Sequence, residues 1–209
     1  MAGMARANRP PGRESPARSD RRRDVSLFDR FAWAYDITMS PTAGDRLREA
    51  LALAERPVER VIDVGGGTGR GVRALDVGRR LVVDPAPGML RAVPAGIGRI
   101  RANATRLPLQ TDGADATLVL DALHHMPDHA VVARELFRTV RPGGVAVVRD
   151  FDPLTLRGRA LSAAERLVGF ESAFHAPDAV GELLMDAGFE PSVLDRGFTY
   201  TVVGVVPPR

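Results

Sequence analysis

Apolar residues in this chain fall into short runs near 59–64, 79–83, 97–101, 116–121 and 144–150, which predict five strands. Between the fourth and fifth runs the spacing changes. Val132, Leu136 and Val140, with Ala133 and Phe137, form one stripe and predict a helix over 128–140. Arg141-Pro142-Gly143-Gly144 is expected to stop it, by a basic charge at the negative end of the helix dipole, a proline and glycines. Strands and helices that alternate with short connections imply a parallel, doubly wound sheet. Beyond the fifth strand, Asp152 is expected to cap a helical stretch running from Pro153 to about Phe170. Pro177 starts another helix and Gly188 closes it. The runs 190–195 and 198–206, parted by Arg196-Gly197, predict a hairpin. The expected fold is therefore α/β, with a doubly wound, mostly parallel seven-stranded sheet and a C-terminal antiparallel edge hairpin.

Upstream, Leu27, Phe28, Phe31, Ala32 and Tyr35 lie at helical spacing, with Asp24 or Ser26 as the cap. A second helix is expected over 43–54, with Leu47, Leu51 and Ala54 on one face. Residues 1–24 are rich in Arg, Pro, Ser, Ala and Gly and hold almost no large apolar side chains. Such a segment cannot bury enough surface to offset its ordering entropy, so it is expected to be a disordered tail ahead of a single domain over 25–209. Arg21-Arg22-Arg23 has the outline of an export signal, but charged Asp29 and Arg30 follow where a greasy segment is required. Export is rejected and a cytoplasmic location expected.

Charge sharpens this division. The tail carries seven of the 29 arginines against Glu14, Asp20 and Asp24, while the rest of the chain holds 22 arginines and 23 acids. The body is near neutral, so nucleic acid is not an expected partner. The tail is expected to be flexible and solvated, with weak adhesion to an anionic lipid surface or to nucleic acid as the alternative. All basic residues are arginine and cysteine is absent, which removes Schiff-base chemistry, disulfides and thiolate metal sites.

The candidate chemistry begins where the first strand ends, at Asp63-Val64-Gly65-Gly66-Gly67-Thr68-Gly69. In an open parallel sheet, ligands bind beyond the carboxyl ends of the strands, where strand order reverses. A dinucleotide would need the register G-x-G-x-x-G, but Arg70 and Val72 stand at the third-glycine positions. Asp63 would also repel a pyrophosphate. A zwitterionic amino-acid group fits better, its carboxylate meeting the loop amides around Gly65 and Gly67 and its ammonium held near Asp63. Asp84 ends the second strand, 19 residues after Gly65, where it can accept both hydroxyls of a ribose. Asn103 and Ala104 follow the third, offering an amide oxygen to the adenine amino group and a backbone N–H to a ring nitrogen. Asp121, at the end of the fourth, is expected to orient the same ligand. S-adenosyl-L-methionine satisfies every one of these demands.

These motifs, with Leu107-Pro108 and Arg141-Pro142-Gly143-Gly144, stand in the order and spacing of class I S-adenosylmethionine-dependent methyltransferases, which the chain resembles over about 25–206. The resemblance implies a Rossmann-like methyltransferase fold. Phe28-Asp29-Arg30-Phe31-Ala32-Trp33-Ala34-Tyr35-Asp36 and Ala102-Asn103-Ala104 further resemble the ubiquinone and menaquinone C-methyltransferases of the type 11 group. That resemblance implies that Tyr35 lies against the cofactor and that a membrane-associated, demethylmenaquinol-type quinol is the acceptor. Ile37-Thr38-Met39-Ser40-Pro41 and Asp121-Ala122-Leu123-His124-His125 depart from the quinone pattern. The alternatives are O- or N-methylation of another small metabolite, or a non-catalytic S-adenosylmethionine-binding module.

A phenolic acceptor benefits from a base that removes its proton, and His124 or His125, beside the cofactor edge, is the expected catalytic residue. His129 and Asp128 lie close by in sequence, yet local crowding does not make ligands converge, so no metal site is expected. Asp150 and Asp152 end the fifth strand on the same rim. The stretch 154–175 is expected to roof an apolar acceptor pocket.

Overall fold

The computed structural model describes residues 44–170 and 172–208. The Arg-rich tail, the helix expected near Val25, Trp33 and Tyr35 all lie outside the described residues.

The first described helix, α1 (Gly44–Leu51), buries Leu47, Ala50 and Leu51. The sheet follows as β1 (Arg60–Val64), β2 (Arg79–Asp84), β3 (Gly98–Arg101), β4 (Ala114–Leu120), β5 (Val140–Phe151), β6 (Glu190–Asp195) and β7 (Thr199–Val205). Its order is β3-β2-β1-β4-β5-β7-β6. The first five strands pair in parallel; β7 runs antiparallel to β5, and β6 antiparallel to β7. The chain winds outward from β1 through β2 to β3, then returns to β4 on the other side of β1. That reversal opens a crevice between the ends of β1 and β4, where open α/β sheets hold their ligands.

Adjacent residues on each central strand feed opposite layers of core. Ile62, Val83, Val119, Val148 and Val202 face one layer, and Val61, Val82, Leu118, Val147 and Val203 the other. Unbroken apolar runs are what a strand covered on both faces requires. Two short helices, α2 (Arg70–Arg73) and α3 (Pro87–Arg91), follow β1 and β2. Next comes a 3₁₀ turn at Leu123–His125, then α4 (His129–Thr139), α5 (Leu156–Val168) and α6 (Pro177–Ala187).

Two expected caps resolve differently. Asp152 does not cap α5. Its Oδ1 accepts from the Leu154 amide at 2.8 Å, and Thr155 is the N-cap, its hydroxyl accepting from Gly158 N at 3.0 Å. Arg141 does not sit on the end of α4 as a dipole partner either. Its Nε donates to Asp112 O at 2.8 Å and its Nη1 to Asp115 Oδ1 at 2.9 Å, because a buried carboxylate is a stronger partner than a frayed helix end.

Asp115 is thereby a hub at the bottom of the sheet, accepting also from the Glu59 and Arg60 amides at 3.1 and 2.9 Å. Burial opposes its ionisation, but these amides and Arg141 outweigh that and hold its carboxyl below the usual range. A depressed native value gives stability that is present above the unfolded value near 4 and lost as pH falls through the native one. Asp115→Ala is expected to cost about 3 kcal/mol by leaving buried donors unpaired. Asp115→Asn should flatten the acid limb of stability, read by urea titration between pH 3 and 6.

Candidate functional site

Asp63 is 1% exposed at the tip of β1, and neither carboxylate oxygen is hydrogen-bonded. Burial raises its carboxyl to about 7, an effect that the Val72 amide, near it but outside hydrogen-bonding geometry, only partly offsets and the charge on Asp84 increases. Two glycines make room for it. A Cβ on Gly66 would stand 2.4 Å from Asp63 Cγ, and one on Gly71 would stand 2.8 Å from Asp63 Oδ2. Side chains there would displace the carboxylate from the cavity floor.

Asp84 ties the next two turns together. Its Oδ2 accepts from Gly67 N at 2.9 Å and its Oδ1 from Ala86 N at 2.8 Å. Two more loop amides are engaged, Gly65 N with Val83 O at 2.7 Å and Gly69 N with Gly66 O at 2.8 Å. The amides of Gly65, Gly67 and Gly69 are thus spent on shaping the loop, where the expectation had those around Gly65 and Gly67 meeting a ligand carboxylate. The cation that lines the cavity is Arg70, 3.7 Å from Asp121 Oδ2. Asp121 is itself buried, with Arg149 Nε 3.9 Å from its Oδ1; burial raises its carboxyl against the pull of Arg149.

Asn103 departs from expectation. Its amide oxygen accepts from both Thr105 N and Thr105 Oγ1, each at 3.0 Å, which fills the two lone pairs assigned to an adenine amino group. Short polar side chains bond readily to the backbone two residues on, and here that local turn wins. Ala104 is buried behind it.

Asp63, Gly65, Gly67, Asp84, Asn103, Ala104 and Asp121 nevertheless line one cavity. Met89, Met126 and His125 complete its wall. Sequence spacing did not single out the two methionines, because a lone Met after a strand reads as core. Met89 Sδ would lie 3.7 Å from a Cβ on Gly67.

The adjacent histidines separate. His124 is 3% exposed and does not line the cavity. Its Nδ1 meets Asp150 Oδ1 at 2.6 Å, its backbone N donates to Asp150 Oδ2 at 3.1 Å, and its ring stacks on Phe174 with centroids 4.3 Å apart. Burial opposes charge on His124, but Asp150 overcomes it and raises the imidazole's value. His124 is therefore a packed, paired residue and not a base that meets an acceptor. His125 faces the cavity, and burial, then the charge of His124, pushes its value down to about 3. Neutral at physiological pH, it offers a lone pair but holds a proton weakly. His129 and Asp128 do not join them. His129 Nδ1 contacts His175 Nε2 at 2.6 Å, and Asp128 caps α4 through Val131 N at 3.2 Å.

Residues 62–148 match the family described as a methyltransferase domain. A malonyl-(acyl-carrier protein) O-methyltransferase of Halorhodospira halophila is 32% identical over 87% of this chain and 66% of that protein. A demethylmenaquinone methyltransferase of Mycolicibacterium vanbaalenii is 34% identical over 63% of this chain and 61% of its own length. A SAM-dependent methyltransferase of Thermotoga maritima, described as a possible histamine N-methyltransferase, shares the fold. Its TM-score is 0.72, with 21% identity over 87% of this chain and 98% of that one. Residues 62–148 are a methyltransferase domain, and the chain is similar to S-adenosylmethionine-dependent methyltransferases. It spans just under two thirds of the length of these two curated relatives.

S-adenosyl-L-methionine is the cofactor of this family, and the methyltransferase cavity fits it. An orphaned buried carboxylate, Asp63, calls for a cation such as an amino-acid ammonium. Arg70 and Met89 line the same cavity, a positive charge that would suit the carboxylate of such a group and an apolar wall. Among the described residues no helix is long and apolar enough to cross a membrane.

Proposed function

We propose that this methyltransferase moves a methyl group from S-adenosylmethionine to a small apolar or aromatic acceptor, and that the acceptor is a demethylmenaquinol-type quinol methylated at carbon. When bound, the cofactor supplies an electrophilic methyl on a sulfonium. In this reading Asp63 holds the ammonium, Arg70 the carboxylate, Asp84 the ribose and the Ala104 N–H the adenine, while Asp121 keeps Arg70 in place. Held this way, the donor needs only an aligned nucleophile, and alignment supplies much of the rate.

The acceptor side is argued from His125. It lines the same cavity as Asp63 and Asp84, and Phe170 lies 5.2 Å from it, centroid to centroid. That rim suits a flat apolar ring carrying a hydroxyl for the imidazole lone pair. The demethylmenaquinone methyltransferase relative supports the choice. We place the enzyme in the cytoplasm, at the membrane surface where such quinols reside.

A second reading is O-methylation of a malonyl thioester carboxyl. The Halorhodospira relative covers more of this chain than the menaquinone one, and a carboxylate nucleophile needs no base, which suits so weak a base as His125. Thermal shift with S-adenosylmethionine, S-adenosylhomocysteine and NAD tests the cofactor, since a ligand selective for the native state raises its melting point. Only the first two should do so. Labelled methyl donor is then offered with demethylmenaquinol and with malonyl-acyl-carrier protein. Label in the quinol is the expected result; label only in the thioester replaces it by the second reading, and label in neither leaves a cofactor-binding module.

A further inference from the structure

Behind the cavity wall, three potential ligands converge that sequence proximity did not reveal together. His124, His125 and Glu165 each present one donor atom, and these atoms lie within 4.8 Å of one another. Glu165 comes from the inner side of α5, forty residues downstream, which is why a reading of neighbouring histidines passed it by.

The internal bonding of the cluster directs its lone pairs inward. Asp150 takes His124 Nδ1 at 2.6 Å, which fixes the tautomer with hydrogen on Nδ1 and leaves the Nε2 lone pair for a ligand role. Nε2 faces Glu165 Oε1 at 3.7 Å, too far for a hydrogen bond. A lone pair facing a carboxylate oxygen in a buried site is repulsive unless a positive species stands between them. Two ligands each about 2.1 Å from one ion at a tetrahedral angle are roughly 3.4 Å apart, a few tenths of an ångström from what is observed. Ser172 Oγ donates to Glu165 Oε2, which leaves Oε1 for the centre, and contacts His125 Nδ1 at 3.3 Å. A carboxylate behind a ligating imidazole is also the usual outer support of a metal-bound histidine.

We propose that His124 Nε2, His125 and Glu165 form a site for a late first-row divalent metal, zinc foremost, with Asp150 as the carboxylate that orients His124. Two imidazoles and a carboxylate are a donor set zinc accepts. The ion ties α5 to the 3₁₀ turn after β4, and because His125 also lines the cofactor cavity, it stands beside the acceptor side. The loaded site takes the His125 lone pair, so the imidazole meets an acceptor hydroxyl only in the metal-free protein. That last clause rests on the proposed function; metal binding itself does not.

The test uses the full chain, stripped with a chelator and titrated with Co²⁺, read by its visible absorption, with Zn²⁺ competing it out. A single saturating site is expected. Glu165→Gln and His125→Ala should each abolish the band while circular dichroism shows a folded protein. Asp150→Asn should weaken affinity by about 10- to 100-fold. His129→Ala, in the separate His129–His175 pair, should leave it unchanged. The proposal is overturned by absence of a stoichiometric band, which would assign the gap to a proton, or by a band that persists in both Glu165→Gln and His125→Ala. Cofactor thermal shifts in the stripped protein stay intact in either case, which separates this outcome from failure of the methyltransferase reading.

Discussion

Asp63→Asn is expected to stabilise the cofactor-free protein at pH 8 while weakening S-adenosylmethionine binding by about 100-fold. Both effects follow from one buried, unbonded carboxylate. In the unfolded chain an aspartate releases its proton near 4, whereas in the native state Asp63 keeps it to about 7. Between those values the native state binds more protons, so stability falls as pH rises across the window, by up to about 4 kcal/mol. Asn removes that slope but buries an amide, leaving a net gain of about 1–2 kcal/mol at pH 8, or roughly 4 °C. Cofactor binding runs the other way. An ammonium partner favours the ionised carboxylate, so binding expels the proton and affinity should rise between pH 5 and 7 in the wild type. Melting curves and calorimetric titrations at pH 5.5 and 8 check both arms. Wild-type affinity in the variant at both values would remove Asp63 from the cofactor site.

The architecture was legible because doubly wound sheets write themselves as short apolar runs parted by helical spacing. Val61 and Ile62 feed opposite layers of core, and nothing polar interrupts them. The strand tips were legible for the same reason: topology forces Asp63, Asp84, Ala104 and Asp121 to one rim once strand order is known. What failed was the use of individual hydrogen bonds. Asn103 spends its oxygen on Thr105 and the glycine amides spend theirs on the sheet and Asp84, because satisfying local backbone groups precedes any ligand. Arg141 chose a buried carboxylate over a helix end. Glu165 was illegible for a different reason. It stands forty residues from the histidines on a helix read as the roof of an acceptor pocket, and only the packing of α5 beside the 3₁₀ turn brings it to them.

His124→Ala should be among the most damaging single substitutions for stability, at about 3–5 kcal/mol in chelator-treated protein, whereas His125→Ala should cost much less. The sequence gives no reason to treat the two differently. The structure does: truncating His124 leaves the buried Asp150 with only backbone amides and strips Phe174 of its stacking partner. The loop beyond α5 would loosen too, since Ala173 N donates to the His124 carbonyl at 2.8 Å in a turn the ring holds down. Asp150→Ala removes the same charge pair from the other side. A cycle of His124→Ala, Asp150→Ala and the double variant should therefore fall short of additivity by about 2 kcal/mol. Because His124 does not line the cavity, its loss should leave S-adenosylmethionine affinity within a few fold of wild type, measured below the variant's melting point. If His124→Ala is as stable as wild type yet loses methyl transfer, the ring meets the acceptor after all, and the partition into one packing and one acceptor-facing histidine must be reversed.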